Sequence, residues 1–207
     1  MSEVLIIKPA IMQQFERFLQ QGRVLFFSAP CGFGKTAVAD ALLRGRNVLR
    51  MSAGAADFSL SSLPDGWDIF LLDDLQLMQE DEDWQALCEL IRSAPQRRFV
   101  LLSRGSVPGS LMAFQYAGLM QVLGADELLF DREDIRKLFA ACRIPVTDSE
   151  LGTLWKESIG YPLGVVIVAR CMAGGKPFSQ EVSARAFQEV FAYFETEIYQ
   201  RFDLPLR

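Results

Sequence analysis

The apolar run Val24-Leu25-Phe26-Phe27 feeds the segment Ser28-Ala29-Pro30-Cys31-Gly32-Phe33-Gly34-Lys35-Thr36, and an alanine- and leucine-rich stretch follows from Ala37 to Leu43. Consecutive apolar residues read as a strand buried on both faces, as in a parallel sheet. The alanines and leucines read as a helix. The glycines and the Lys-Thr pair between them have P-loop spacing, with Ala29 standing where the strict motif has glycine. Such a turn points successive backbone N–H groups at a phosphate, and the helix N-terminus adds the positive end of its dipole. Gly32 and Gly34 let the backbone approach phosphate oxygens with no Cβ in the way. Lys35 would reach the outer phosphates as a point charge, and the Thr36 hydroxyl would meet Mg²⁺. The nucleotide-contacting candidates are therefore Ala29, Pro30, Cys31, Gly32, Phe33, Gly34, Lys35, Thr36 and Ala37. The bland alternative is a glycine-rich turn that binds nothing.

A second landmark is Trp67-Asp68-Ile69-Phe70-Leu71-Leu72-Asp73-Asp74. Four apolar residues ending in an acidic pair form the Walker B pattern: a buried strand delivers a carboxylate beside the P-loop. Asp73 is the candidate Mg²⁺ ligand together with Thr36. Asp74 would orient or activate an attacking water, or simply hold the network. Taken alone, an apolar run ending in Asp-Asp reads better as a strand followed by a helix cap. The P-loop upstream is what favours the metal role.

Arg98-Phe99-Val100-Leu101-Leu102-Ser103 reads as a further strand, beside the P-loop strand or the Walker B strand. Its end would hold Arg104 near the terminal phosphate, where a guanidinium senses or stabilises charge. The alternative is an ordinary surface arginine. Strands are also expected at Asn47–Met51 and Leu119–Leu123, and helices at Ile11–Gln21 and Asp83–Ile91. Ser52–Asp65 reads as loop. Past the last strand the pattern is helical, over Arg132–Cys142, Thr147–Ser158, Leu163–Met172 and Ser179–Phe202. The last of these carries Phe187, Val190, Phe191, Phe194 and Ile198 on one stripe, at core spacing. The expected fold is an α/β P-loop NTPase: a mostly parallel sheet flanked by helices over residues 1–128, then an all-helical subdomain over 129–207.

Composition excludes several classes. The chain of 207 residues has a net charge of −5 and no basic cluster, so it should not bind DNA by itself. Histidine is absent, which removes Ser–His and Cys–His nucleophiles and disfavours zinc. No apolar run reaches the ~20 residues of a membrane span. The scattered cysteines Cys31, Cys88, Cys142 and Cys171 suit reduced thiols in a cytoplasm.

The ordered set of these segments, with Glu157-Ser158-Ile159-Gly160-Tyr161-Pro162-Leu163-Gly164 added, resembles the nucleotide-binding region of STAND ATPases. It is most similar to the large ATP-binding LuxR-type regulators of the maltose-activator kind. The resemblance covers nearly the whole chain. It implies ATP/ADP with Mg²⁺ held between the two units, with Pro162 against the adenine. It further implies slow hydrolysis that resets a switch, and self-association in the ATP state. The bland reading of Pro162 is proline in the first turn of a helix. The segment between the second strand and Walker B is shorter than in that family. Its winged helix, sensor and DNA-binding helix-turn-helix are missing, so the chain reads as an excised piece of such a regulator, or a stand-alone remnant. A small-molecule kinase is the alternative, although its arginine-rich lid is not apparent. A scaffold that has lost hydrolysis is a third reading. A guanine-specific GTPase is disfavoured because Asn-Lys-x-Asp is absent.

Overall fold

Strands β1 (Val24–Ser28), β2 (Val48–Ser52), β3 (Ile69–Asp73), β4 (Arg98–Ser103) and β5 (Met120–Gly124) form one sheet in the computed structural model, in the order β2-β3-β4-β1-β5. Every strand pair is parallel. Residues 4–173 are described, together with Ser179, Arg185, Gln188 and Ala192. The rest of the expected helix Ser179–Phe202, with every residue of its phenylalanine stripe, lies outside the described residues.

Parallel strands need crossover connections, and here most crossovers contain helices: α1 (Pro9–Gln21) leads into β1, α2 (Lys35–Leu42) follows it, and α3 (Asp81–Ser93) joins β3 to β4. A short α4 (Met112–Tyr116) precedes β5 and α5 (Ala125–Leu128) follows it. The strands alternate their side chains between two cores, as period-two geometry requires. Leu25, Phe27, Leu71, Val100 and Leu102 pack with Ile11, Phe15 and Phe18 of α1 and Val38, Ala39 and Leu42 of α2. Phe26, Phe70, Leu72, Phe99 and Leu101 pack on the other face with Leu87, Cys88 and Ile91 of α3 and Phe114 of α4. Burial on both faces is why the central strands read as unbroken apolar runs.

β4 lies beside both β1 and β3, and this sets the site. Ser28 pairs with Ser103, and Leu72 with Leu101, so the ends of β1, β3 and β4 come out side by side. In doubly wound sheets, ligands bind outside these carboxyl ends. The loop between β2 and β3 has no regular element, in keeping with its Ala/Ser/Gly composition.

The molecule divides into two compact units, with the first spanning Ile7–Leu128. The second contains α6 (Arg132–Ala141), α7 (Asp148–Ser158) and α8 (Pro162–Ala173). Its core joins Ile135, Leu138 and Phe139 to Leu151, Leu154, Val165 and Val168, and Val4 and Ile6 pack against it. Capping boxes start two of its helices, one from Asp131 and Asp134 and one from Thr147 and Glu150.

Candidate functional site

The loop after β1 is shaped by two left-handed glycines, Gly32 and Gly34, both at φ 79°. Gly34 caps α2, and a Cβ there would meet nothing within 4 Å, so its glycine answers a backbone demand and not crowding. Ala29 is buried and its N–H donates to Ser103 O at 3.3 Å, which ties the loop to β4. An alanine methyl is therefore accommodated where the strict motif has glycine.

Lys35 opens α2 and is 8% exposed. Its Nζ donates to Ala29 O at 2.6 Å and to Pro30 O at 3.0 Å, so the ammonium curls over its own loop. Burial pushes this ammonium below the usual lysine value. Cys31 and Asp73 pull it back up, Arg104 pushes it down, and Asp74 pulls it up. Cys31, Asp73, Asp74 and Arg104 are thus all close enough to act on the Lys35 ammonium. Thr36, the next residue, donates from Oγ1 to Asp73 Oδ2 at 2.8 Å. Thr36 and Ala37 are exposed on the first turn of α2.

Asp73 ends β3, and its Oδ1 accepts from Asp74 N at 2.7 Å. Asp74 then adopts φ 56°, ψ 36°, a left-handed conformation that aspartate tolerates better than most residues. That kink turns its carboxylate toward β2 and β4. Asp74 Oδ1 accepts from Gln76 Nε2 at 2.8 Å and lies 3.7 Å from Arg104 Nη2. Asp74 Oδ2 accepts from Ser52 Oγ at 3.4 Å. Arg104 follows β4, and its N–H donates to Gln76 Oε1 at 3.0 Å. Ser28 Oγ donates to Gly105 O at 2.9 Å, and Gly105 N donates to Ser103 Oγ at 3.1 Å, pinning the turn after Arg104 to β1 and β4.

The structure therefore brings together Lys35, Thr36, Asp73, Asp74 and Arg104 from three strand ends. Pro162 is the first residue of α8 in the second unit, and it is buried. Pro162 thus stands in the first turn of a helix. Its neighbour Gly160 has φ 75°, and a Cβ there would lie 2.2 Å from Phe130 O. Sequence reasoning missed Gln76, Ser52, Ser28 and Ser103. Gln76 carried one legible signal, its place two residues after the acidic pair. The serines carried none, since their role depends on strand register.

A divalent cation fits the donor set. A hydroxyl on the first turn of α2 and a strand-end carboxylate are already adjacent, and Mg²⁺ characteristically takes one or two protein oxygens and completes its shell with water and phosphate. Among the described residues there is no group of three or more His, Cys, Asp or Glu that could hold a metal ion by itself.

No family model matches the chain, and no curated protein matches its sequence. Solved structures do match. The Walker-type ATPase PABY2304 of Pyrococcus abyssi superposes with a TM-score of 0.69 at 12% identity, over 94% of this chain and 75% of that one. The STAND protein PH0952 of Pyrococcus horikoshii, which carries a tetratricopeptide repeat sensor, gives a TM-score of 0.60 at 14% identity, over 90% of this chain and 33% of that one. A variant of Thermotoga maritima RuvB gives 0.53 at 18% identity, over 88% and 69%. These similarities show the fold: a five-stranded parallel sheet with flanking helices, that of P-loop NTPases.

Proposed function

We propose that this chain binds ATP and ADP with Mg²⁺ and acts as the nucleotide-operated switch of a signal-transducing regulator, with slow hydrolysis resetting it. The observation that carries the reading is the 2.8 Å hydrogen bond from Thr36 Oγ1 to Asp73 Oδ2. It couples the P-loop helix to the Walker B strand at the point where a nucleotide-bound cation needs both oxygens. Thr36 and Asp73 would hold Mg²⁺, which when bound supplies charge neutralisation at the phosphate oxygens. Lys35 would exchange the carbonyls of Ala29 and Pro30 for phosphate oxygens, which recovers charge-assisted bonds for a cation that burial disfavours. The backbone N–H groups from Cys31 to Thr36 would cradle the phosphates, with Ala37 behind them. Asp74 would orient the attacking water and Arg104 would face the developing charge.

Two observations support a slow switch over a fast enzyme. Asp74 and Arg104 are engaged with each other and with Gln76, so each must change partners before it can act on a bound nucleotide. The similarity in fold to a STAND protein agrees with this. The role of Pro162 in holding adenine, self-association in the ATP state and the link to transcription are part of the proposal. DNA contact would come through a domain outside this chain.

Calorimetry with ADP and with a β,γ-imido ATP analogue tests the reading, together with identification of any nucleotide released on denaturation. Lys35→Ala should weaken both ligands by roughly 10²- to 10⁴-fold, from the loss of one or two charge-assisted bonds to phosphate. An unchanged affinity would remove the P-loop assignment. Ending the chain near Glu127 should lower ADP affinity while sparing pyrophosphate, and full ADP affinity in the shortened form would remove Pro162 from the site.

A further inference from the structure

We propose that Gln76 is the positioning residue that sets how well this site distinguishes ATP from ADP, an inference that rests on the nucleotide site proposed above. Gln76 sits in the 3₁₀ turn Leu75–Leu77, anchored by the fully buried Leu75 and by Leu77 N donating to Asp74 O at 2.9 Å. Its amide faces two strand exits at once. Arg104 N–H can only donate, so Oε1 must turn toward β4, and the NH₂ group must then turn toward the Asp74 carboxylate. The amide orientation is therefore dictated by its partners. The β3–β4 ladder pairs up to Leu72 and Leu101, and Gln76 carries the link onward past that point.

This bridge matters because of what Arg104 must do. Its guanidinium lies 3.7 Å from Asp74 Oδ1, and to meet a terminal phosphate it must leave that carboxylate. A partly buried carboxylate stripped of its partners would resist the move. Here Asp74 keeps Gln76 Nε2 at 2.8 Å and Ser52 Oγ at 3.4 Å after the arginine departs. Meanwhile Gln76 Oε1 holds the Arg104 backbone, so the side chain swings from a fixed pivot. Gln76 thus lowers the cost of releasing Arg104 to a third phosphate, and ADP, which lacks that phosphate, makes no use of it.

The test compares ADP with the β,γ-imido ATP analogue on the full chain. Gln76→Glu keeps the acceptor for Arg104 N, removes the donor to Asp74, and sets a second carboxylate against that of Asp74, so that releasing the guanidinium leaves two negative charges together. ADP affinity should stay near that of the parent protein while affinity for the analogue falls roughly tenfold or more, the size of one charge-assisted bond. Combining Gln76→Glu with Asp74→Asn restores the bond with donor and acceptor exchanged, and the analogue-to-ADP ratio should recover. Gln76→Met, of similar length and without charge, serves should the glutamate variant fold poorly, and it should lower the ratio as well. A merely structural glutamine would weaken both ligands together or lower the melting temperature with the ratio unmoved, and that result overturns the inference. If the parent protein binds neither ligand, the nucleotide reading itself fails and this inference falls with it. If it binds both and the ratio is the same in all variants, only the role of Gln76 is refuted.

Discussion

Gly160→Ala should destabilise the protein by about 3–6 kcal/mol, far more than alanine at another left-handed glycine. Gly160 has φ 75°, and its added Cβ would lie 2.2 Å from Phe130 O, 3.2 Å from Phe130 C and 3.3 Å from Phe130 N. Those atoms are backbone, and Phe130 N donates back to Gly160 O at 2.8 Å, so the two segments cannot separate without losing that bond. The left-handed conformation alone costs a non-glycine residue ~1–2 kcal/mol. Relieving the overlap adds ~1–3 kcal/mol by comparison with overpacked cores, and the strained hydrogen bond about 1 kcal/mol. Gly118 isolates the first contribution: it has φ 69°, and nothing lies within 4 Å of its ideal Cβ. Gly118→Ala should therefore cost only ~1–2 kcal/mol. Urea unfolding followed by circular dichroism at one temperature gives both values, with ADP calorimetry on the folded variants alongside. Equal losses for the two substitutions would refute the collision with Phe130. So would a Gly160→Ala protein of normal stability that has lost ADP affinity, because the glycine would then serve ligand approach.

Further outcomes follow from the same geometry. Asp73→Asn should weaken ATP binding more in Mg²⁺ than in EDTA if Asp73 is the cation ligand proposed above, and equal losses in both would make Asp73 structural. Ile159, 74% exposed at φ 51°, pays left-handed strain for little burial, so Ile159→Gly should stabilise by about 0.5–1 kcal/mol in thermal or urea unfolding, the strain relieved less the glycine's extra unfolded-state entropy. The backbone N–H and hydroxyl of Thr147 hold the Glu150 carboxyl below the usual glutamate value. Its contribution is therefore present above the ordinary carboxylate range and is lost as pH falls through the lowered value. Glu150→Gln should flatten the acid limb of a stability-versus-pH curve, and an unchanged limb would show that the capping box is not what titrates.

The elements of the sheet were legible because their signals are local. Arg98–Ser103 is a strand with the expected bounds, and the runs before the P-loop and before Asp73 are strands, because a parallel strand buried on both faces shows as consecutive apolar residues. The P-loop was legible because its glycines meet a backbone demand that few other residues can meet. The short α4 was missed, since five residues are too few to establish a period.

Sequence alone thus determined the strand–turn–helix around Lys35 and Thr36, the acidic pair at the end of β3 and the arginine at the end of β4. Tertiary structure decided that β4 lies between β1 and β3, so that all three arrive at one edge. It also decided that Gln76 spans Asp74 and Arg104, that Ser52 reaches Asp74 from β2, and that Phe130 leaves no room for a Cβ at Gly160. The physical reason is one of range. Periodicity and turn chemistry act over a few neighbouring residues, whereas these contacts join segments brought together only by strand order, ladder register and packing.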